Sequence, residues 1–137
     1  MEALRFVFFR RLTMTITIRE AIAQLDNIKP NVYDLPTKVK WLESLDSKIK
    51  TNIIDTHEGG EAVDMPKYSP ANIDQELLVG GVYDEIYIHW LKAMIDLSNN
   101  EYDLYNNEKA VFESLYVEFE NYYNRTHMPI SKNFKFF

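Results

Sequence analysis

The alternation of apolar and polar positions is most regular between Tyr83 and Tyr123, where two stripes with helical spacing flank Asn99-Asn100. Asn tolerates the left-handed conformation that ends many helices, so we predict two helices joined by a very short connection. They form either an antiparallel pair or one kinked rod. The first stripe is Tyr83, Ile86, Tyr87, Trp90, Leu91, Met94 and Ile95, and the second is Tyr102, Tyr105, Phe112, Leu115, Tyr116, Phe119, Tyr122 and Tyr123.

Two further helices are predicted nearer the start of the chain. Thr17 and Glu20 match a capping box, which predicts a helix of about ten residues that stops around Pro30. Asp34 is a candidate N-cap, and Pro36 falls in the first turn, where its missing N–H does no harm. The second helix continues to about residue 55 on the stripe Leu35, Val39, Leu42, Leu45, Ile49 and Ile53.

Trp41 lies off the apolar stripe of the second helix. We expect this ring either to pack at an edge of the core or to contact a partner, and edge packing is slightly favoured because so large a ring is rarely left in water. Trp41 is therefore a candidate partner-binding residue.

Residues 55–82 are predicted to form a long loop. The segment contains Gly59-Gly60, Pro66 and Pro70, and loops of this length inside a domain tend to carry function or extended structure. A short hairpin that turns at Gly59-Gly60 is one prediction for this loop. Residues 74–79 add either a helical turn or a strand before Gly80-Gly81. The predicted fold class is all-α, a small bundle of about four helices with this loop and extended termini.

Composition excludes several kinds of site and partner but does not indicate a specific function. A chain of 137 residues fits one domain, and the absence of cysteine excludes disulfides, thiolate metal sites and thiol nucleophiles. The net charge of −6 argues against a general affinity for phosphate backbones. Residues 101–120 are strongly acidic whereas residues 121–137 carry only basic charge, an arrangement that favours head-to-tail contact between subunits or simply a solvated surface.

No catalytic constellation is recognisable, so we predict no catalytic residues, no metal and no cofactor, and a protein that is not an enzyme. His89 follows Glu85 by one helical turn, which predicts an exposed ion pair. His57 has Glu58, Glu61 and Asp64 nearby, but a polar loop is strongly favoured over a metal or acid–base site. His127 is expected at the surface.

The two ends of the chain are predicted to dock on partners. The domain boundaries are an N-terminal arm 1–16, a helical domain 17–126 and a C-terminal docking tail 127–137. No signal peptide or membrane span is indicated, and Met14 is an alternative start, which would make residues 1–13 an extension. The candidate partner-binding residues in these ends are Phe6, Phe8, Phe9, Phe134, Phe136 and Phe137.

From residue 15 to residue 129 the sequence resembles a family of small proteins of tailed phages and prophages of Gram-positive bacteria. Its motifs, a YDELY segment, a Trp, an NxEYDxYNN-like turn and a final NxYNRTHMP, correspond to residues 83–87, Trp90, residues 99–107 and residues 121–129. The resemblance implies a structural virion protein, a head–tail connector of the adaptor type. The two aromatic ends lie outside the resemblance.

A connector of this kind implies a dodecameric homo-oligomeric ring beneath the portal, around the DNA channel. Its partners are the portal protein and the next connector, stopper or tail protein, and its location is the virion neck, or the host cytoplasm during assembly. No sequence-specific nucleic-acid binding and no membrane partner are expected, and an acidic channel wall would let DNA slide. The alternative is a prophage-encoded regulatory module that binds a host protein with its aromatic face.

Overall fold

Residues 15–130, which the computed structural model describes, form four α-helices and one small antiparallel sheet. The prediction of a mostly helical domain with about four helices is therefore right, but the domain is not purely all-α because two short strands are present. The elements are β1 (Thr15–Thr17), α1 (Ile18–Ile28), α2 (Leu35–Asn52), 3-10 turns at Ile54–Thr56 and Gly60–Ala62, β2 (Glu76–Gly80), a 3-10 turn at Gly81–Tyr83, α3 (Glu85–Ser98) and α4 (Tyr102–Thr126).

The predicted starts of α1 and α2 are confirmed by their capping bonds. The Thr17 hydroxyl accepts from the Glu20 amide at 3.1 Å, and the Glu20 carboxylate accepts from the Thr17 amide at the same distance. The Asp34 carboxylate accepts from the Thr37 amide at 3.1 Å. Both caps satisfy backbone donors that a helix end leaves without intrahelical partners, so local sequence fixes where these helices begin.

Helices α3 and α4 form an antiparallel pair, which excludes the kinked rod. Asn100 takes a φ of 60° between them, in the left-handed region that the Asn pair predicts. The ring of Trp90 lies 5.1 Å from that of Phe112, whereas Tyr83, before the start of α3, lies 5.9 Å from Phe119, near the end of α4. Early positions of one helix therefore face late positions of the other.

The sheet joins segments that are far apart in sequence. Thr15 pairs with Gly80 and Thr17 with Glu76, with an irregularity in register between the two pairs. The prediction of a strand within residues 74–79 is confirmed, but the hairpin at Gly59-Gly60 is wrong. A Cβ on Gly60 would lie 2.3 Å from the Ile54 carbonyl oxygen, so this glycine serves a tight 3-10 turn.

The core lies where α1, α2 and α3 meet the inner face of the sheet. The predicted stripe of α2 is buried from Val39 onward, while Leu35 at its start is only half-buried. Two ion pairs tie the helices together, Lys38 of α2 to Asp26 of α1 and Lys29 after α1 to Asp96 of α3. Fully buried core side chains include Ile18, Leu25, Leu42, Leu45, Ile49, Ile53, Val79, Ile86, Tyr87, Leu91 and Ile95.

A buried carboxylate at the centre of the core connects three elements. Asp46 of α2 is fully buried and accepts hydrogen bonds from the hydroxyls of Tyr87 at 2.6 Å and Tyr68 at 2.5 Å, and from the Leu78 amide at 3.2 Å. The Tyr87 hydroxyl in turn accepts from the Val79 amide at 2.7 Å. Burial raises the pKa of Asp46, and these three hydrogen bonds only partly oppose that effect.

We expect Tyr87→Phe to lower the free energy of unfolding by about 2–4 kcal/mol, because it leaves the Val79 amide and one oxygen of Asp46 buried without a partner. Tyr68→Phe removes one bond at a half-buried position and should cost less. Tyr102→Phe, on an exposed ring, is the control. Urea unfolding of the three variants provides the test, and equal losses for Tyr87→Phe and Tyr102→Phe would contradict the role of the network.

The raised pKa of Asp46 also predicts a pH dependence. Between the unfolded pKa, about 3.9, and the raised folded pKa, the folded state keeps a proton that the unfolded chain has released. The free energy of unfolding therefore falls as pH rises through this interval. Asp46→Asn should remove this contribution, so the stability difference between wild type and variant should shrink with rising pH. Urea unfolding over a pH series measures that difference, and a difference that grows with pH would contradict the assignment.

Candidate functional site

An open pocket of about 500 Å³ lies between one edge of the sheet and the C-terminal half of α4. We call it the aromatic pocket. Its volume falls within the range of pockets that bind small ligands or side chains of a partner. Rings line one side, namely Tyr83, Phe119, Tyr122, Tyr123 and His127, and Ile54, Val63, Leu78 and Val82 supply aliphatic surface.

Gly80 and Gly81 shape the wall of the aromatic pocket. A Cβ on Gly80 would lie 2.6 Å from the Cγ2 atom of Thr15, so only glycine allows β1 to approach here. Gly81 has a φ of +65°, which turns the chain out of β2 and into the 3-10 turn. This turn places Val82 at the rim, 75% exposed, and brings the Tyr83 ring to 4.9 Å from Tyr122.

His57 fastens the loop after α2 to the end of α4. Its side chain is 3% exposed, its Nδ1 atom lies 2.6 Å from the Ile53 carbonyl oxygen, and its Nε2 atom lies 2.7 Å from the Oδ1 atom of Asn124. The ring meets Tyr123 edge to face at 4.9 Å. His57 therefore lies in a largely exposed loop, as the sequence favours, but its own side chain is a buried structural group.

His127 stacks flat on Tyr123, with ring centroids 3.7 Å apart and an interplanar angle of 3°. The side chain is half-buried, so the surface position expected from the sequence is only partly right. Burial, and to a lesser extent the charge of Asp55, raises the pKa of Tyr123, which keeps its phenol neutral. This part of the pocket is suited to apolar and ring contacts.

The chain beyond α4 turns back along the loop that contains His57. The Glu58 amide donates to the Met128 carbonyl at 2.7 Å, and the Ile130 amide donates to the Thr56 carbonyl at 3.0 Å. His57 and Pro129 form an isolated antiparallel bridge between these two bonds. The described part of the predicted docking tail is therefore attached to its own domain beside the aromatic pocket.

Thr15 completes the pocket on the side of the sheet. Its hydroxyl oxygen is buried and has no hydrogen-bond partner within residues 15–130. Burying a hydroxyl without a partner is unfavourable, so this contact of β1 has an energetic cost. Sequence reasoning missed the pocket, although the Gly80-Gly81 pair between a strand and a helix was a local signal of an unusual turn.

Helix α4 carries a second apolar stripe that the described domain does not cover. Leu104, Val111, Leu115 and Tyr122 are separated by seven, four and seven positions, so they share one face of the helix. We call this the outer stripe. Leu104, Val111 and Tyr122 are exposed and Leu115 is half-buried. Tyr122 belongs to both the outer stripe and the aromatic pocket, so the two form one continuous apolar surface.

His89 of α3 has a different partner from the one predicted. His89 Nδ1 lies 2.8 Å from a carboxylate oxygen of Glu108 on α4, so its ion pair joins two helices and is not the predicted pair with Glu85. Lys92 contacts the same carboxylate at 2.8 Å. Burial raises the pKa of Glu108, but the hydrogen bonds from His89 and Lys92 outweigh burial and hold it below its ordinary value.

The structure locates one of the predicted partner-binding residues. Trp41 packs edge-on against Tyr33 with ring centroids 5.3 Å apart, and its carbonyl accepts from the Trp90 indole N–H at 2.8 Å. The ring is half-buried at the edge of the core, and its role in partner binding stays a prediction. The remaining candidates, Phe6, Phe8, Phe9, Phe134, Phe136 and Phe137, lie outside the described residues.

The acidic residues near His57 do not form a metal site with it. Within residues 15–130 no group of three or more His, Cys, Asp or Glu side chains is arranged to hold a metal ion. In the same part of the chain, no helix combines the length and apolar character needed to cross a membrane.

No protein-family model, curated protein or solved structure matches the chain at a significant level. The resemblance to phage connector proteins therefore rests on the sequence motifs alone.

We expect His57→Phe to lower the free energy of unfolding by about 1–3 kcal/mol, because the ring is replaced but its two hydrogen bonds are lost in a buried position. His127→Phe is a matched control that keeps an aromatic ring over Tyr123 at a more exposed position and should change stability by about 0.5 kcal/mol or less. Urea unfolding measures both variants. A loss in His127→Phe as large as in His57→Phe would contradict the role given to His57.

Proposed function

We propose that this protein is a structural subunit of a phage head–tail connector, which forms a homo-oligomeric ring beneath the portal and around the DNA channel. The sequence motifs within residues 83–129 suggest the connector role. The outer stripe of α4 is the structural observation that supports assembly. Aromatic and aliphatic surface at helical spacing, left uncovered by the subunit itself, is typical of a contact with another protein.

The outer stripe has dimensions suited to a subunit interface. From Leu104 to Tyr122 it spans eighteen positions, or about 27 Å of helix at 1.5 Å per residue. Only Phe112, Phe119 and Tyr123 of α4 are buried, so most of this 25-residue helix is left for other contacts. In the proposed ring the occupant of the stripe is a neighbouring copy of this chain.

The distribution of charge supports contact between the ends of one copy and the body of the next. Residues 15–130 contain twenty acidic and ten basic side chains, whereas residues 1–14 and 131–137 together contain five basic side chains and one acidic. Opposite charges attract the ends of one copy to the body of its neighbour, and a head-to-tail contact closes into a ring when its rotation closes. Excess negative charge on a channel wall would also prevent DNA from adhering.

The chemistry of the site favours binding over catalysis. The pKa of Tyr123 is raised, so this ring stays neutral, and His57 is held by two hydrogen bonds inside the protein. The alternative function, a prophage-encoded module that binds a host protein, would use the same aromatic surface. The two differ in whether the outer stripe is covered by another copy of this chain.

Val111→Glu places a charge in the outer stripe and is expected to weaken self-association at least about tenfold, because an unpaired charge in an apolar interface is strongly unfavourable. Val117→Glu is the matched control. Val117 is 49% exposed against 44% for Val111, lies on the same helix, and points about a third of a turn away. Light scattering and electron microscopy of each variant, alone and with the portal protein, measure assembly.

We expect rings for wild type and Val117→Glu and their loss in Val111→Glu. Rings that persist in Val111→Glu, or that disappear equally in both variants, would remove the outer stripe as the interface. A protein that stays monomeric with and without the portal, and that recovers a host protein in a pull-down, would overturn the connector proposal in favour of the regulatory module.

A further inference from the structure

We propose that the aromatic pocket binds the C-terminal segment of the same chain, with Phe134 and Phe136 as the side chains that enter it. This inference does not depend on the connector function. It follows from the place at which the chain leaves the described structure, from the length that remains, and from the pattern of apolar and charged residues in that length.

Backbone hydrogen bonds beyond α4 hold the end of the described chain next to residues that line the aromatic pocket. As the chain advances from Met128 to Ile130, its bonding partner moves back from Glu58 to Thr56. Ile54, at the start of the 3-10 turn that ends at Thr56, lines the aromatic pocket. His127, just before Met128, lines the pocket as well. The chain therefore leaves the described structure beside the aromatic pocket.

The remaining length is sufficient and the tether is short. Phe134 and Phe136 follow Ile130 by four and six residues. An extended chain spans about 3.3 Å per residue, so these rings can reach about 13 Å and 20 Å from the last described residue. A tether this short gives the segment a local concentration in the millimolar range, which favours its own chain over a second copy.

The residue pattern of the segment suits a pocket lined by aromatic and aliphatic side chains on a domain of negative net charge. In an extended strand alternate side chains point to opposite sides, so Phe134 and Phe136 share one side and Lys135 lies on the other. Phenyl rings on the first side would meet Tyr83, Tyr122 and Phe119 at edges and faces, as aromatic pairs prefer. Lys132 and Lys135 make the segment basic, whereas the described domain carries an excess of ten negative charges, so the two attract each other at long range.

The aromatic pocket has room for these rings. Its volume of about 500 Å³ exceeds what one phenyl ring requires, and Val82 at its rim is largely exposed.

The natural chain contains no cysteine, so a pair of introduced thiols can report this docking directly in the full-length protein. We place one thiol at the rim with Val82→Cys and the other in the segment with Phe137→Cys, which keeps both Phe134 and Phe136. Val117→Cys with Phe137→Cys is the control pair. Val117 is exposed, lies nine residues before the end of α4, about 14 Å away along the helix, and does not line the pocket.

At micromolar protein concentration and under mild oxidation, we expect the Val82 pair to close an intramolecular disulfide at least about tenfold faster than the Val117 pair. The product is a monomer without free thiols on a non-reducing gel and by mass spectrometry. Adding Phe134→Ala and Phe136→Ala to the Val82 pair should reduce the rate to that of the control. Circular dichroism verifies that each variant is folded.

Equal rates for the two pairs would overturn the proposal, as would a Val82 rate that the two alanine substitutions do not change. Disulfide-linked dimers in place of closed monomers would show that a second copy supplies the segment, and would also overturn it. None of these outcomes depends on ring assembly, so failure here is distinguishable from failure of the connector function.

Discussion

The rest of the fold depends on the burial of one carboxylate. Asp46 lies in the middle of α2, where a charged group would be strongly destabilising without partners. Its partners are the Tyr87 hydroxyl of α3, the Leu78 amide of β2 and the hydroxyl of Tyr68, in the loop between α2 and β2. Satisfying one buried group thus fixes where three other segments lie relative to α2. It also explains how a strand of five residues keeps its place in a mostly helical domain.

The position of β2 in turn determines the candidate site. β2 holds Thr15 by direct pairing, and its last residue, Gly80, allows β1 to come close enough to form one wall of the aromatic pocket. The following turn delivers Tyr83 to the rings of α4. The end of the sheet at Gly80 therefore determines the position of the aromatic pocket, and α4 supplies its remaining wall.

Local signals predict the helices well, because caps and spacing act within a few residues. Thr17, Asp34 and Asn100 each do what their residue type favours at a helix end. The pairing of β1 with β2 and the bond from His57 to Asn124 could not be read in the same way, since each joins residues about sixty positions apart. The Gly59-Gly60 hairpin failed for a related reason. Glycines are compatible with several turns, and the contact of Gly60 with Ile54 selects the 3-10 turn.

Tyr122 connects the two proposed binding events. Its ring lines the aromatic pocket and also ends the outer stripe, so an occupant of one region alters the surface that the other presents. Any such coupling is reciprocal: if binding of the C-terminal segment changes the affinity of the stripe for a neighbouring subunit, the neighbour changes the affinity for the segment by the same factor. In the proposed connector, the Phe-rich end would be held in its own subunit until assembly changes that balance. The same residues could then serve first as an intramolecular ligand and later as a contact with a partner.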